Sequence, residues 1–348
     1  MDWSSLDRVD ILGLALSWGG LYAVVRRPDR RGVILAALMM VAAIYTRQTY
    51  ALAAPLAAFV WLLAGGQGRR ALALATLTGG LSLLLLGALS ALTGGGFFFH
   101  TVTANANEFR WEQVSYNLST LQGLMPLLLV GGVAFVVLGL RSRPASWWLV
   151  GAYLGGSAAA AVLIGKVGSD VNYLLELSAA LALAAGALIA RNSSRPGARC
   201  VLFLALAVQV ATMVQASQGF YAGFQQGVID QRSGLARLEA IVDKSKGPVL
   251  ADEYAGLLPL DGRRIYLQPF EMTQLQRDGR WDQGPLLVSI ERQEFPVILI
   301  WKPHFAAGIE QERWTREMLE TIEENYKPAH KYARTLVYRP RPGGGGST

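Results

Sequence analysis

Three groups of polar residues have the types and spacing to do chemistry, and each stands against long apolar runs. The first is Arg47 with Gln48, inside the stretch Tyr45-Thr46-Arg47-Gln48-Thr49. A guanidinium there can hold a phosphate through paired hydrogen bonds while the amide orients it. The structural alternative is an arginine snorkelling to lipid headgroups. The second is the run Lys166-Val167-Gly168-Ser169-Asp170-Val171-Asn172-Tyr173-Leu174-Leu175-Glu176. Asn172 and Glu176 are four apart and share a face if a helix starts at Asp170 or Val171, and Asp170 can cap it. Glu176 then lies at membrane depth, where a lone carboxylate is expensive, with Lys166 or Arg47 as candidate partners. The competing reading is an internal salt bridge that only locks helices together. The third is the segment 96–112, in which Phe97, Phe98, Phe99, Phe109 and Trp111 alternate with His100, Asn105, Asn107, Glu108, Arg110 and Glu112. That mixture suits a helix lying in a membrane interface. His100 is a candidate proton carrier, against the plainer reading of an interfacial side chain.

The elements that must position these groups are apolar helices. Of 348 residues, 52% are hydrophobic and 16% charged, whereas a soluble domain carries about 25% charged residues. With a mean hydropathy of +0.30, an ordinary cytosolic enzyme is excluded. Apolar runs fall at 9–25, 32–44, 50–64, 71–92, 121–140, 147–164, 173–190 and 200–216. The second and third are too short to cross a core of about 30 Å at 1.5 Å per residue. They predict a shallow pair that dips in and returns, with 46–49 at its turn, or else one tilted, broken helix.

Basic residues set the expected orientation. Arg26, Arg27, Arg30 and Arg31 share one connection, Arg69 and Arg70 another, Arg141 and Arg143 a third, and Arg191, Arg195 and Arg199 a fourth. The positive-inside rule makes all four cytoplasmic. The net charge of +7 therefore reads as topology, and spread over separate loops it does not form a nucleic-acid patch. The same rule puts the start outside, yet residues 1–10 are acidic and lack a signal peptide's basic region. This suggests that earlier spans are missing.

After Ser217 the long apolar runs stop. Strand-like pieces at 248–251, 264–267, 296–301 and 335–338 alternate with helix-like pieces at 233–244, 270–277, 285–292 and 312–326. The expected architecture is a polytopic α-helical membrane protein of about eight hydrophobic helices, two of them short, with a C-terminal soluble α/β domain. Its parts are a transmembrane helical domain at 1–217, an extracytoplasmic α/β domain at 218–342 and a flexible tail or linker at 343–348. Asp252 and Glu253 follow the first strand, a common site position in open sheets, although a loop or N-cap role explains them as well. His304 and His330 have no ligand partners at metal spacing, so no zinc site is expected there. Cys200 is the only cysteine and cannot form an internal disulfide. No GxGxxG, Walker A, HExxH or GxSxG sequence occurs.

The 45–49 stretch followed by Ala53-Ala54-Pro55-Leu56, the 166–176 run, and Phe270-Glu271-Met272 through Arg277-Asp278-Gly279-Arg280-Trp281 resemble bacterial GT-C membrane glycosyltransferases. The similarity is to family 39 proteins, akin to protein O-mannosyltransferases and the lipid A aminoarabinose transferase, and it covers about residues 9–338. The resemblance implies a multi-pass enzyme of the bacterial cytoplasmic membrane with its C-terminal domain outside. It implies sugar transfer from a polyprenyl-phosphate donor at the outer face, with that lipid-linked sugar and the bilayer as partners. It implies Arg47, Gln48 and Lys166 at the donor phosphate, and Asp170, Asn172, Tyr173, Glu176 and His100 around the substrate cavity. The family's catalytic carboxylate in the first outer loop has no counterpart here, and Asp10 resembles the opening of a later span, so no catalytic residue is assigned and the chain is expected to be inactive alone. The alternative from another class is a transporter, or a non-catalytic membrane scaffold with an outer partner-binding domain.

Overall fold

A computed structural model describes residues 9–192, 194–302 and 312–342, without the side chains of 220, 224, 228 and 230. His304 and the 343–348 tail lie outside the described residues. The chain divides into two compact units, meeting at Tyr221 and Ala222, four residues beyond the boundary expected from composition.

The first unit is helical. Helix α1 (Asp10–Arg26) is followed by α2 (Arg30–Thr46), a 3₁₀ turn at Gln48–Ala51, α3 (Ala53–Ala64) and α4 (Gly68–Leu92). A short turn, α5 (Gly96–Phe98), leads to α6 (Trp111–Leu124), α7 (Pro126–Ser142), α8 (Ala145–Ala161), α9 (Leu175–Arg191) and α10 (Pro196–Lys244). Asp29 caps α2 by accepting from the Gly32 N–H at 2.9 Å. Helix packing rests on small side chains: Ala36, Ala37, Ala53, Ala54, Ala57 and Ala58 are buried together around Leu62, Leu74 and Tyr153. A Cβ on Gly156 would lie 2.8 Å from the Cα of Ala53, so α3 and α8 touch backbone to backbone, as small residues allow in membrane bundles.

Four helical stretches among the described residues are long and apolar enough to cross a membrane: Gly68–Leu92, Ala145–Gly165, Val171–Arg191 and Pro196–Gly227. Their exposed faces carry large apolar side chains, including Leu83, Leu84, Val201 and Leu204. That composition suits hydrocarbon better than water, and the protein is a helical, membrane-associated one. Four of the eight expected runs, at 71–92, 147–164, 173–190 and 200–216, fall in this set, and the other four are helical but shorter or broken. Helices α1 and α2 have 17 residues each, about 26 Å, and α3 has 12. The run at 121–140 is broken at Met125 and Pro126, and α6 and α7 meet at 97°. Proline lacks an N–H and drives the preceding residue out of the helical region, and Met125 accordingly sits at φ −132° and ψ 42°. Conversely, the run at 200–216 and the piece at 233–244 are one helix, α10. No proline interrupts 197–244.

The corner between α6 and α7 exposes backbone groups that neither helix can pair. Gln209 of α10 satisfies two of them: its Nε2 donates to the Leu124 carbonyl at 2.8 Å and its Oε1 accepts from the Leu127 N–H at 3.0 Å.

The second unit is built on a four-stranded sheet of order β1-β2-β4-β3. Strand β1 (Val249–Ala251) runs parallel to β2 (Val297–Trp301), while β3 (Tyr326–Tyr332) and β4 (Thr335–Pro340) complete it antiparallel. Helices α11 (Leu257–Leu260), α12 (Pro269–Arg277), α13 (Gly284–Glu291) and α14 (Arg316–Asn325) connect them. Met318 and Ile322 of α14, four apart on one face, pack with Ile298, Ile300 and Trp314. The piece at 264–267 is irregular instead of a strand. The end of the helix expected at 312–326 gives way to β3, whose exposed Lys327, Pro328 and Lys331 suit a sheet edge but hide a strand from any alternation count.

Gln209→Leu is expected to leave both corner groups unpaired, at about 1–3 kcal/mol each. Thermal unfolding in detergent should show a lowered midpoint, and amide exchange should rise at 124–127.

Candidate functional site

Helix directions bring the first two predicted groups to one end of the helical unit. Helices α1 and α9 begin there, and α2 and α8 end there. The four arginine-bearing connections, at 26–31, 69–70, 141–143 and 191–199, all fall at the opposite ends of these helices and their neighbours. The charge segregation in the sequence is thus matched by the alternation of helix direction.

Arg47 is where the chain leaves α2, with an extended backbone at φ −159° and ψ 127°. This turns its side chain back over the start of α1, where it forms an ion pair with Asp10. Asp10 is almost fully buried and also accepts from Asn172 Nδ2 at 3.2 Å. The Tyr50 hydroxyl donates to the Asp10 carbonyl at 2.8 Å, tying the 3₁₀ turn after Arg47 to α1. Room for this comes from Gly13, where a Cβ would lie 2.5 Å from the Tyr50 ring. The Arg47 guanidinium also stands 4.4 Å from the centroid of the Tyr173 ring. Tyr173 lies in the fields of both Arg47 and Lys166.

One helical turn further in, Ser17 Oγ donates to Glu176 Oε1 at 3.4 Å. Asp10 and Ser17 are seven apart on α1 and Asn172 and Glu176 four apart on the adjoining helix, so two parallel helices pair polar residue to polar residue. Trp18 Nε1 donates to the Tyr153 hydroxyl at 2.8 Å. Two buried acceptors, Asn172 Oδ1 and Glu176 Oε2, have no hydrogen-bond partner.

The expected residues therefore separate into those that meet and those that do not. Arg47 meets Tyr173 directly and Asn172 through Asp10, Lys166 acts on Tyr173 through its field alone, and Glu176 lies deeper against Ser17. Asp170 is exposed and spends its carboxylate on the Val171 N–H at 2.6 Å, starting the turn as a cap. Gln48 is exposed and donates to the Thr101 carbonyl at 2.9 Å, which anchors the aromatic segment instead of orienting Arg47. His100 is exposed, edge-on to Phe99 at 5.3 Å. The residues missed were Asp10, Ser17, Tyr50 and Tyr153. A readable signal existed for the first two, since Asp10, Gly13, Ser17 and Gly20 form a small and polar stripe along an apolar helix.

The C-terminal candidates behave structurally. Asp252 accepts from the Trp301 N–H at 3.0 and 2.9 Å and from Trp314 Nε1 at 3.1 Å, while Glu253 pairs with Arg313 at 2.6 Å. Burial pushes the Asp252 carboxyl above its ordinary value, against the lowering by Trp314, the Glu253 and Trp301 N–H groups and Arg313. His330 is exposed on β3 and stacks with Tyr332, and no cluster of three metal-ligating side chains occurs among the described residues.

This fold and cluster define a helical membrane-associated protein with a buried ion pair at one end of its bundle. No known family, no curated protein and no solved structure matches the chain.

Removing either partner of a buried ion pair typically costs about 3–5 kcal/mol, because the other charge is left unpaired. Asp10→Ala and Arg47→Ala should each lower the unfolding midpoint strongly, and the double variant should lose much less than the sum of the two. For Asp252, the raised value means that the native state binds the proton more tightly than the unfolded state. Its contribution is complete below the ordinary value and is lost as pH rises through the raised one. The stability of the unmodified chain relative to Asp252→Asn should therefore decline as pH rises above about 4, measured by denaturant unfolding.

Proposed function

We propose that this chain forms the donor-binding part of a membrane glycosyltransferase of the GT-C type, which takes a sugar from a polyprenyl-phosphate at the outer face of a bacterial membrane. The observation that carries the reading is Arg47. Its side chain is 15% exposed, held at a helix end between Asp10 and Tyr173, and on the end away from the arginine-rich connections. A guanidinium has five N–H donors, and one carboxylate uses at most a part of them. The remainder can engage a phosphate oxygen, with the field of Lys166 adding to that of Arg47 at Tyr173.

In this reading Asp10 and Asn172 aim the guanidinium, and Tyr173 supports it by its ring face. Phosphate binding then exchanges one anionic partner for a shared one, which tempers affinity but fixes position. Gln48 and Asp170 are engaged with the Thr101 carbonyl and the Val171 N–H, so the reading rests on Arg47 first. The leaving lipid phosphate would stay on Arg47 while the sugar moves to an acceptor hydroxyl.

Binding of a polyprenyl monophosphate to the purified chain in nanodiscs tests this without requiring turnover. Arg47→Ala should weaken it by about 10- to 100-fold, in line with the loss of charge-assisted hydrogen bonds of about 1.5–3 kcal/mol. Arg47→Lys should recover only part, since it lacks the planar fork. Unchanged binding in Arg47→Ala would remove the assignment.

A further inference from the structure

Helix α6 stands at 97° to α7, and the two are joined through a corner that Gln209 splints from α10. Helix α7 is an apolar helix packed side by side with α9, through Phe135, Leu188 and Ala184, and so runs with the bundle. A helix at a right angle to it runs across the bundle end. One stripe of α6 faces inward there, with Val114 and Leu121 packed against Ile164, Leu174 and Leu177. The neighbouring flank carries Trp111 and Leu118, which are 67% and 40% exposed, while Glu112 and Ser119 fall on the far side. Trp111 meets Phe109 edge to face at 5.0 Å.

We infer that α6 lies flat in the headgroup layer of the membrane, with its Trp111 and Leu118 flank against lipid. Three features favour lipid as the occupant of this flank over another protein. The flank is continuous, through the corner, with the exposed apolar face of α7 at Val130, Val133 and Val137. Its aromatic anchor is tryptophan, which favours membrane interfaces. Beyond Trp111 and Leu118 the exposed surface of α6 mixes Ser115, Gln122, Glu112 and Ser119 with Tyr116, 71% exposed, a side chain that favours the same interface.

The consequence is a depth gauge for the candidate site. The Arg110 N–H donates to the Gly165 carbonyl at 2.8 Å, the Val167 N–H to the Glu108 carbonyl at 2.9 Å, and Gln113 Nε2 to the Ser169 carbonyl at 3.0 Å. Phe109 and Lys166 form an isolated antiparallel bridge. The start of α6 is therefore fixed to the loop that carries Lys166. Wherever α6 rests in the bilayer, Lys166 rests at the same level, which is that of lipid phosphates. This holds whether or not the site binds a polyprenyl donor.

The test measures depth along the helix. The full chain in a Cys200→Ser background, reconstituted in phosphatidylcholine and phosphatidylglycerol vesicles, is nitroxide-labelled singly at Ser115→Cys, Leu118→Cys and Gln122→Cys. Val130→Cys and Val137→Cys on α7 serve as an internal ruler. Depth follows from relative accessibility to oxygen and to a water-soluble nickel complex. The two α7 positions, seven residues apart, should differ by about 10 Å, and the three α6 positions should agree within about 4 Å at the boundary of the polar layer. A progressive change along α6 equal to that along α7 would overturn the inference. So would nickel accessibility without oxygen accessibility at all three sites. An interfacial carbene photoprobe applied to the unsubstituted chain avoids any effect of substitution on folding: label on Trp111 and Leu118 supports the inference, and its absence from both overturns it.

Discussion

The ion pair between Asp10 and Arg47 is the constraint on which the helical unit turns. Two opposite charges sit at the ends of apolar helices, with Asp10 almost wholly out of solvent, and neither is tolerable there alone. Satisfying both requires α2 to end where α1 begins, with an extended residue at the junction. Asn172 then draws in the start of the α9 segment, and the Tyr50 hydroxyl pins the returning chain to the Asp10 carbonyl. A side chain at Gly13 would exclude the Tyr50 ring. The pair is thus a junction of four chain segments, in which the Arg47 side chain keeps 15% of its surface exposed.

From that junction the rest of the bundle follows by direction. Helices alternate, so the arginine-rich connections collect at the opposite end, and the alanine-rich faces of α2, α3 and α8 let backbones approach closely. Where the chain departs from simple alternation, at the corner of α6 and α7, the departure has an identifiable cause and an identifiable remedy. Proline at 126 breaks the helix, and one glutamine from α10 pairs the two backbone groups set free. A polar residue in an apolar helix therefore has a local structural role at Gln209 and a shared one at Ser17 and Glu176. The difference lies in what each side chain faces.

The second unit obeys the logic of a layered domain. Buried Asp252 receives N–H donors from β2 and Trp314 and links the end of β1 to the chain preceding α14. A carboxylate after the first parallel strand is a common site position, yet here its bonds hold sheet and helix together. Chemistry-bearing residue types thus carry little information until their partners are known. The same holds for Asp170, a cap, and for Gln48, which holds the aromatic segment through the Thr101 carbonyl.

The sequence by itself determined what hydrophobicity and residue chemistry determine locally. It showed a helical membrane-associated unit with arginines segregated into alternate connections, and a compositional change near residue 217. It also showed that Arg47, Asn172 and Tyr173 belong to polar stretches unlike their surroundings. Hydropathy could not show that the run at 121–140 breaks, because apolar content is blind to a proline's missing N–H. Nor could it show β3, whose exposed edge lacks alternation. Only the tertiary structure decided that Asp10, 37 residues before Arg47 and 162 before Asn172, completes the cluster. It also decided that Glu176 stands a turn deeper with Ser17. The physical reason is that an ion pair is a property of two positions in space, and nothing in either residue's own stretch of sequence records which distant charge it will meet.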